Sequence, residues 1–258
     1  MTTRLWDRAA ALPARSGERS PQLVALPPGL PDVPELFTFM RDAELRFQTL
    51  RMRIEERTFA ARGEQLVATD ITLRHPGQAR VVTSEPGKGA VAPSEIWLSD
   101  GETIRTYSTS HKLATTRPVR NRPRGLDSRG LPGTSKVYEP LTPLPMETLA
   151  ELFVHPAGFC QNVLATGDCW ISGTQDFPWG EAIVVECDHP RAVEHPVDRP
   201  DHHIQIAVDR QEGVIVRLAE SVHGELTRLA TVVLLDPDAA LQPAVFELEL
   251  PEGTTTLY

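Results

Sequence analysis

The chain is short of aromatic residues (6% of 258), holds three cysteines, and carries neither a long apolar run nor an excess of positive charge. Each shortage excludes something. Cys160, Cys169 and Cys187 are odd in number and too few for a disulfide framework, so three free thiols in a reducing cytosol are expected. No apolar stretch approaches the roughly 18 residues that a membrane-spanning helix needs. The opening MTTRLWDRAAALPARSGERSPQLVALPPGLPD has no signal-type core, because Ala9 to Leu12 is stopped by Pro13 and Arg15. A cytoplasmic location is therefore the expectation, unless a leader preceded this numbering. The net charge of −9 supplies no general positive field for nucleic acid or an anionic membrane. There is no GxSxG, no P-loop and no GxGxxG after a strand, which removes the usual nucleotide and acyl-enzyme machinery.

Proline, in contrast, is abundant at 23 residues, which suits many short elements joined by turns. Residues 1–33 lack periodicity and read as a flexible arm. From Pro34, Leu36, Phe37, Met40, Ala43, Leu45 and Phe47 recur at helical spacing, with Asp32 as N-cap, predicting one amphipathic helix that ends near Thr49. Leu50, Met52 and Ile54 then alternate with Arg51, Arg53 and Glu55, the period of a half-buried strand. Further strands are predicted over 65–73, 79–83, 94–99, 103–108 and 112–116, with turns at His75-Pro76-Gly77 and Asp100-Gly101-Glu102. These connections are too short for crossover helices, so the meander is antiparallel.

Residues 117–145 are rich in Arg and Pro and predict a long surface loop. Met146, Leu149, Leu152 and Phe153 give a short helix limited by Pro156, and Phe159, Val163 and Leu164 a second one ended by Gly167. Strands return at 169–172, 181–187, 203–208, 214–220 and 226–235, with a turn at 209–213. This order gives an α+β class: a large curved antiparallel sheet, open like an incomplete barrel and covered by a few helices, forming one domain over 34–258.

The densest set of ligand-type residues is DHPRAVEHPVDRPDHH. A metal-dependent hydrolase would need His189, His195, His202 and Asp198 to converge there. The prolines instead make this segment a polar loop, and adjacent His202 and His203 would point to opposite faces of a strand. No metal or other cofactor is expected. Cys187 lies in the apolar run AIVVEC and reads as a small core residue, whereas Cys160 and Cys169 could pair only in an exported chain. Arg117, Arg120, Arg122, Arg124 and Arg129 could grip an acidic partner, but they lack the interleaved aromatics of single-strand nucleic-acid binders.

Three stretches carry a family resemblance: IWLSDGETIRTYSTSHKLATTRP with Asp100, Gly101 and Tyr107; HIQIAVDRQEGVIVRLAES; and AVFELELPEGTTTLY with Phe246, Pro251 and Gly253. In these and in element order from residue 34 onward, the chain resembles the LolA-like and RseB-like lipoprotein-carrier superfamily. The resemblance implies an open barrel whose apolar inside holds a lipid, an acyl chain or a lipidated partner, without catalysis. Phe37, Met40, Phe47, Trp97, Tyr107, Phe153, Phe159 and Trp170 are the candidates to line that groove, each of them equally readable as plain core. The alternative is a regulatory protein–protein module that uses a sheet edge or the arginine loop and whose core is filled.

Overall fold

The computed structural model describes residues 23, 25–61, 63–86, 93–119, 140–188 and 201–257. Most of the expected arm, and the arginine-rich loop over 120–139, lie outside these residues. The first helix, α1 (Val33–Arg41), starts at a complete capping box. The Glu35 N–H donates to Asp32 Oδ1 at 2.7 Å, and the Asp32 N–H donates to Glu35 Oε2 at 2.9 Å. The helix is shorter than its sequence spacing predicts. At Asp42 the chain leaves the helix for a 3-10 turn over Ala43–Leu45, and Arg46 donates to the Asp42 carbonyl at 2.7 Å. Phe47 is buried from this turn rather than from a further turn of the helix, and the first strand begins two residues later.

That strand, β1 (Thr49–Ala60), is followed by β2 (Gly63–Arg74), β3 (Gln78–Ser84), β4 (Glu95–Asp100), β5 (Thr103–Ser108) and β6 (Leu113–Pro118). Two short helices come next, α2 (Leu149–Val154) and α3 (Ala157–Asn162). The chain then forms β7 (Asp168–Phe177), β8 (Gly180–Asp188), β9 (His202–Asp209), β10 (Ile215–Val222), β11 (Glu225–Pro237) and β12 (Thr255–Leu257). All twelve belong to one sheet in the order β12-β6-β5-β4-β3-β2-β1-β11-β10-β9-β8-β7. Every pairing is antiparallel except β12 with β6. This is the α+β fold expected: a wide, open sheet with few helices.

Two further departures from the expected strands have identifiable causes. The seventh strand runs five residues past the predicted Ser172, because a bulge between Ile171 and Gly173 absorbs the glycine without ending the pairing. The last strand was not predicted; its three residues find a partner more than a hundred positions away.

The sheet has an inner face, covered by the helices, and an outer face. Leu235, Met52, Ile71, Val81 and Trp97 stand opposite one another across β11, β1, β2, β3 and β4 on the inner side. Leu36, Phe39 and Met40 of α1, Leu149, Ala150, Phe153 and Val154 of α2, and Cys160 and Leu164 close over it in a single core. On the outer face, the stretch 238–254 runs back across β2, β3 and β4. Arg74 donates to the Leu241 carbonyl at 2.7 Å, and Arg80 to those of Val245 and Glu247 at 3.1 Å each. The Arg74 guanidinium also lies 5.2 Å from the ring centroid of Phe246. Beneath this strap sits a separate small apolar cluster of Ile96, Tyr107 and Ala114, with Val82 and Leu248.

Candidate functional site

The helices pack over the middle of the inner face. A pocket of about 100 Å³ remains where the entry to α2 meets β2, β3 and β4. Its apolar wall is Val81, Trp97, Pro145, Leu149 and Ala150, and its polar wall is Thr69, Thr83, Glu95 and Thr148. Position in the strands explains the set. Thr69, Val81, Thr83, Glu95 and Trp97 occupy alternate inward places, while Thr148 caps α2 from the Glu151 N–H and so fixes where that helix begins.

The eight groove candidates divide by face. Met40, Phe47 and Phe153 are buried in the middle of the core, and Phe37 and Phe159 pack half-buried at its margin. Trp97 is in the core and also lines the pocket. Tyr107 and Trp170 lie elsewhere. Tyr107 belongs to the outer cluster under the C-terminal strap, because its cross-strand partner Ile96 points away from Trp97. Trp170 is 43% exposed and stands on the outer side of β7, its ring centroid 6.3 Å from that of His203. The apolar run Ile96-Trp97-Leu98 gives no alternation, so the sequence could not fix which aromatics share a face.

A second, polar site is built where the 140–148 segment meets the turn between β2 and β3. Thr142 Oγ1 lies 2.7 Å from His75 Nδ1 and accepts from the Gly77 N–H at 2.9 Å. His155 Nε2 is 3.0 Å from the Thr142 carbonyl, and its Nδ1 is 3.5 Å from Glu44 Oε2, which also accepts the Leu141 N–H at 2.7 Å. Burial raises the Glu44 pKa against the pull of His155 and that N–H. Burial, aided by His155, lowers His75 to about 4, so His75 is neutral at pH 7. These groups tie the 3-10 turn after α1, the C-terminal end of α2 and the β2–β3 turn together around Phe47, which stacks on His75 at 5.4 Å.

A third cluster lies on the outer face of β8 and β9. His203 Nδ1 is 2.6 Å from Asp188 Oδ1 and its Nε2 is 2.8 Å from Glu186 Oε2. Burial opposes a charge on the ring, but the two carboxylate hydrogen bonds outweigh it and raise the pKa. Gln205 and Ser172 donate to Glu186 Oε1 at 2.8 and 3.0 Å, extending the ladder to neighbouring strands. The sequence placed His203 beside the ligand-type loop; the pairing of Asp188 with His203 across β8 and β9 was the signal missed. Of the metal candidates, His189, His195 and Asp198 fall outside the described residues, and His202 is described. Among the described residues, no group of three His, Cys, Asp or Glu side chains could hold a metal. Arg117 is exposed at the end of β6, and the other four arginines of that loop lie outside the described residues.

A wide open sheet with helices on one face and a small pocket between the two layers defines the architectural class. No family model and no curated protein matches the chain. Solved structures similar to it include an uncharacterized conserved protein from Thermus thermophilus, with 9% identity over 87% of this chain and 98% of that one, at a TM-score of 0.49. The Pseudomonas aeruginosa MucA/MucB complex matches with 12% identity over 83% of this chain and 60% of that one, TM-score 0.46. A LolA superfamily protein from Nitrosomonas europaea matches with 12% identity over 85% and 99%, TM-score 0.32. The chain thus spans less than two thirds of the MucB-complex chain it matches.

Proposed function

We propose that this chain is a non-catalytic binding module that recognises a protein segment, which docks along the free edge of β7. The small size of the inner-face pocket formed by the described residues supports this reading. A pocket of about 100 Å³ is small beside the roughly 300–1,000 Å³ of ordinary small-molecule sites. The ten residues of β7 end the sheet, and among the described residues no strand pairs with their outer side. Such an edge accepts an extended peptide through its backbone N–H and C=O groups. Mass spectrometry of an organic extract of purified protein, against a mock purification, is expected to find no stoichiometric lipid. Extended peptides selected from a random library are expected to slow amide hydrogen exchange along β7. A lipid at near-stoichiometric yield, or binders that leave β7 unprotected, would reject the reading.

The pocket itself favours a second reading, in which a short apolar group enters beside Trp97. Each methylene removed from water would contribute about 0.8 kcal/mol. Here Trp97→Asp, in a folded variant, abolishes retention of a bound fatty acid, whereas Tyr107→Asp leaves it intact because Tyr107 faces the other side. Loss in both variants, or in neither, would remove this reading.

A further inference from the structure

Cys169 and Cys187 stand directly opposite each other in the β7–β8 pair. Residues so paired share one face of a sheet, here the inner one. Their Cα atoms lie about 4.5 or 5.5 Å apart, depending on the type of pair. Both values fall inside the roughly 4.4–6.8 Å window of disulfides. The two thiols also converge on one acceptor: Cys169 Sγ is 3.0 Å and Cys187 Sγ 3.5 Å from the Leu164 carbonyl oxygen. That oxygen also accepts the Gly167 N–H at 3.1 Å, so it keeps a donor if both thiols are lost.

The third cysteine is placed differently. Cys160 is buried, with its Sγ 3.6 Å from Met40 Sδ. Strand register therefore sets Cys169 opposite Cys187, on the neighbouring strand, and all three thiols are free in this structure.

We propose that Cys169 and Cys187 form a reversible redox-modification site, closing a cross-strand disulfide by exchange with a low-molecular-weight disulfide. Access gives the order of events. Cys169 is partly exposed near the start of the terminal strand, whereas Cys187 is fully buried. The interaction with Cys187 also favours a thiolate on Cys169, against burial, and the reciprocal interaction disfavours one on Cys187. The Cys169 thiolate attacks one sulfur of the reagent RSSR, forming Cys169–S–SR and releasing RS⁻. Cys187 then gives up its proton and attacks the Cys169 sulfur, expelling the second RS⁻. The two cysteine protons end on two RSH, and the pair of electrons lost by the cysteines reduces the reagent.

The test uses the full, folded, reduced chain exposed to oxidised glutathione, quenched by alkylation and mapped by peptide mass. A Cys169–Cys187 cross-link that dithiothreitol reverses is expected, with Cys160 alkylated only after unfolding. In the reduced chain, Cys169 should alkylate at least about tenfold faster than either other cysteine. Cys187→Ala should stop the reaction at a glutathione adduct on Cys169. A Cys160–Cys169 link, a persistent adduct in the wild-type chain, or no reaction in the folded chain would each overturn the proposal. The wild-type map decides this even if Cys187→Ala fails to fold.

Discussion

His75 has the surroundings with the plainest pH signature. It is 6% exposed, lies against Phe47 and is held near a pKa of about 4, below the ordinary value of 6.5. A base whose folded pKa is depressed binds protons more readily when unfolded. Its contribution to stability is therefore complete above pH 6.5 and is lost as pH falls from 6.5 toward 4. Chemical denaturation of wild type and His75→Gln at pH 7 and pH 4 should show about 3 kcal/mol more loss in the wild type. Equal losses would mean that His75 is not the group titrating. Glu44 has the opposite slope, because burial raises its pKa, and comparison with the variant removes that contribution. Phe153, with no exposed surface, makes a different prediction: Phe153→Ala should cost about 3–5 kcal/mol in urea unfolding. Trp170→Ala, at 43% exposure, should cost well under half of that.

At the scale of elements, the two turn glycines of the β2–β3 and β4–β5 hairpins pack on each other. A Cβ on Gly77 would lie 2.7 Å from the Gly101 Cα, and Gly77 has φ +87°. Gly77→Ala should therefore destabilise by more than about 1 kcal/mol, with both hairpins losing hydrogen-exchange protection together. Loss confined to one hairpin would deny the contact a role. The neighbouring turn was readable beforehand: Asp100-Gly101-Glu102 forms as expected, with Asp100 Oδ1 accepting from the N–H groups of Glu102 and Thr103. Strands with strict alternation, such as Leu50, Met52 and Ile54, were equally readable, down to the face that each residue occupies. Legibility ended where local pattern ends. The side to which Tyr107 turns depends on register across β4 and β5, and the site at Thr142 and His155 depends on residues far apart in sequence. The cysteine pair offered a faint signal, since both lie at similar distances from the turn at 178–179, but the bulge at Gly173 hid it.

At the scale of the whole molecule, the chain covers part of its own outer face. Removing residues 238–258 takes away the strap, β12 and the acceptors of Arg74 and Arg80. The cluster of Ile96, Tyr107 and Ala114 then faces water. The shortened chain should bind a hydrophobic dye and aggregate at concentrations where the full chain stays monodisperse. A well-behaved, dye-silent truncation would show that the strap is ornamental to the fold.

The pairing of β1 with β11 also bears on how the molecule is made. Met52 waits for Leu235, nearly two hundred residues downstream, so the centre of the sheet is the last interior seam to close. As the chain leaves the ribosome, β1 to β6 can assemble early while the other side of β1 remains an open edge. Until β11 has been made, one side of β1 has no partner strand. That is the interval in which a chaperone matters most, and in which a stalled or prematurely ended chain is most exposed to pairing with its neighbours.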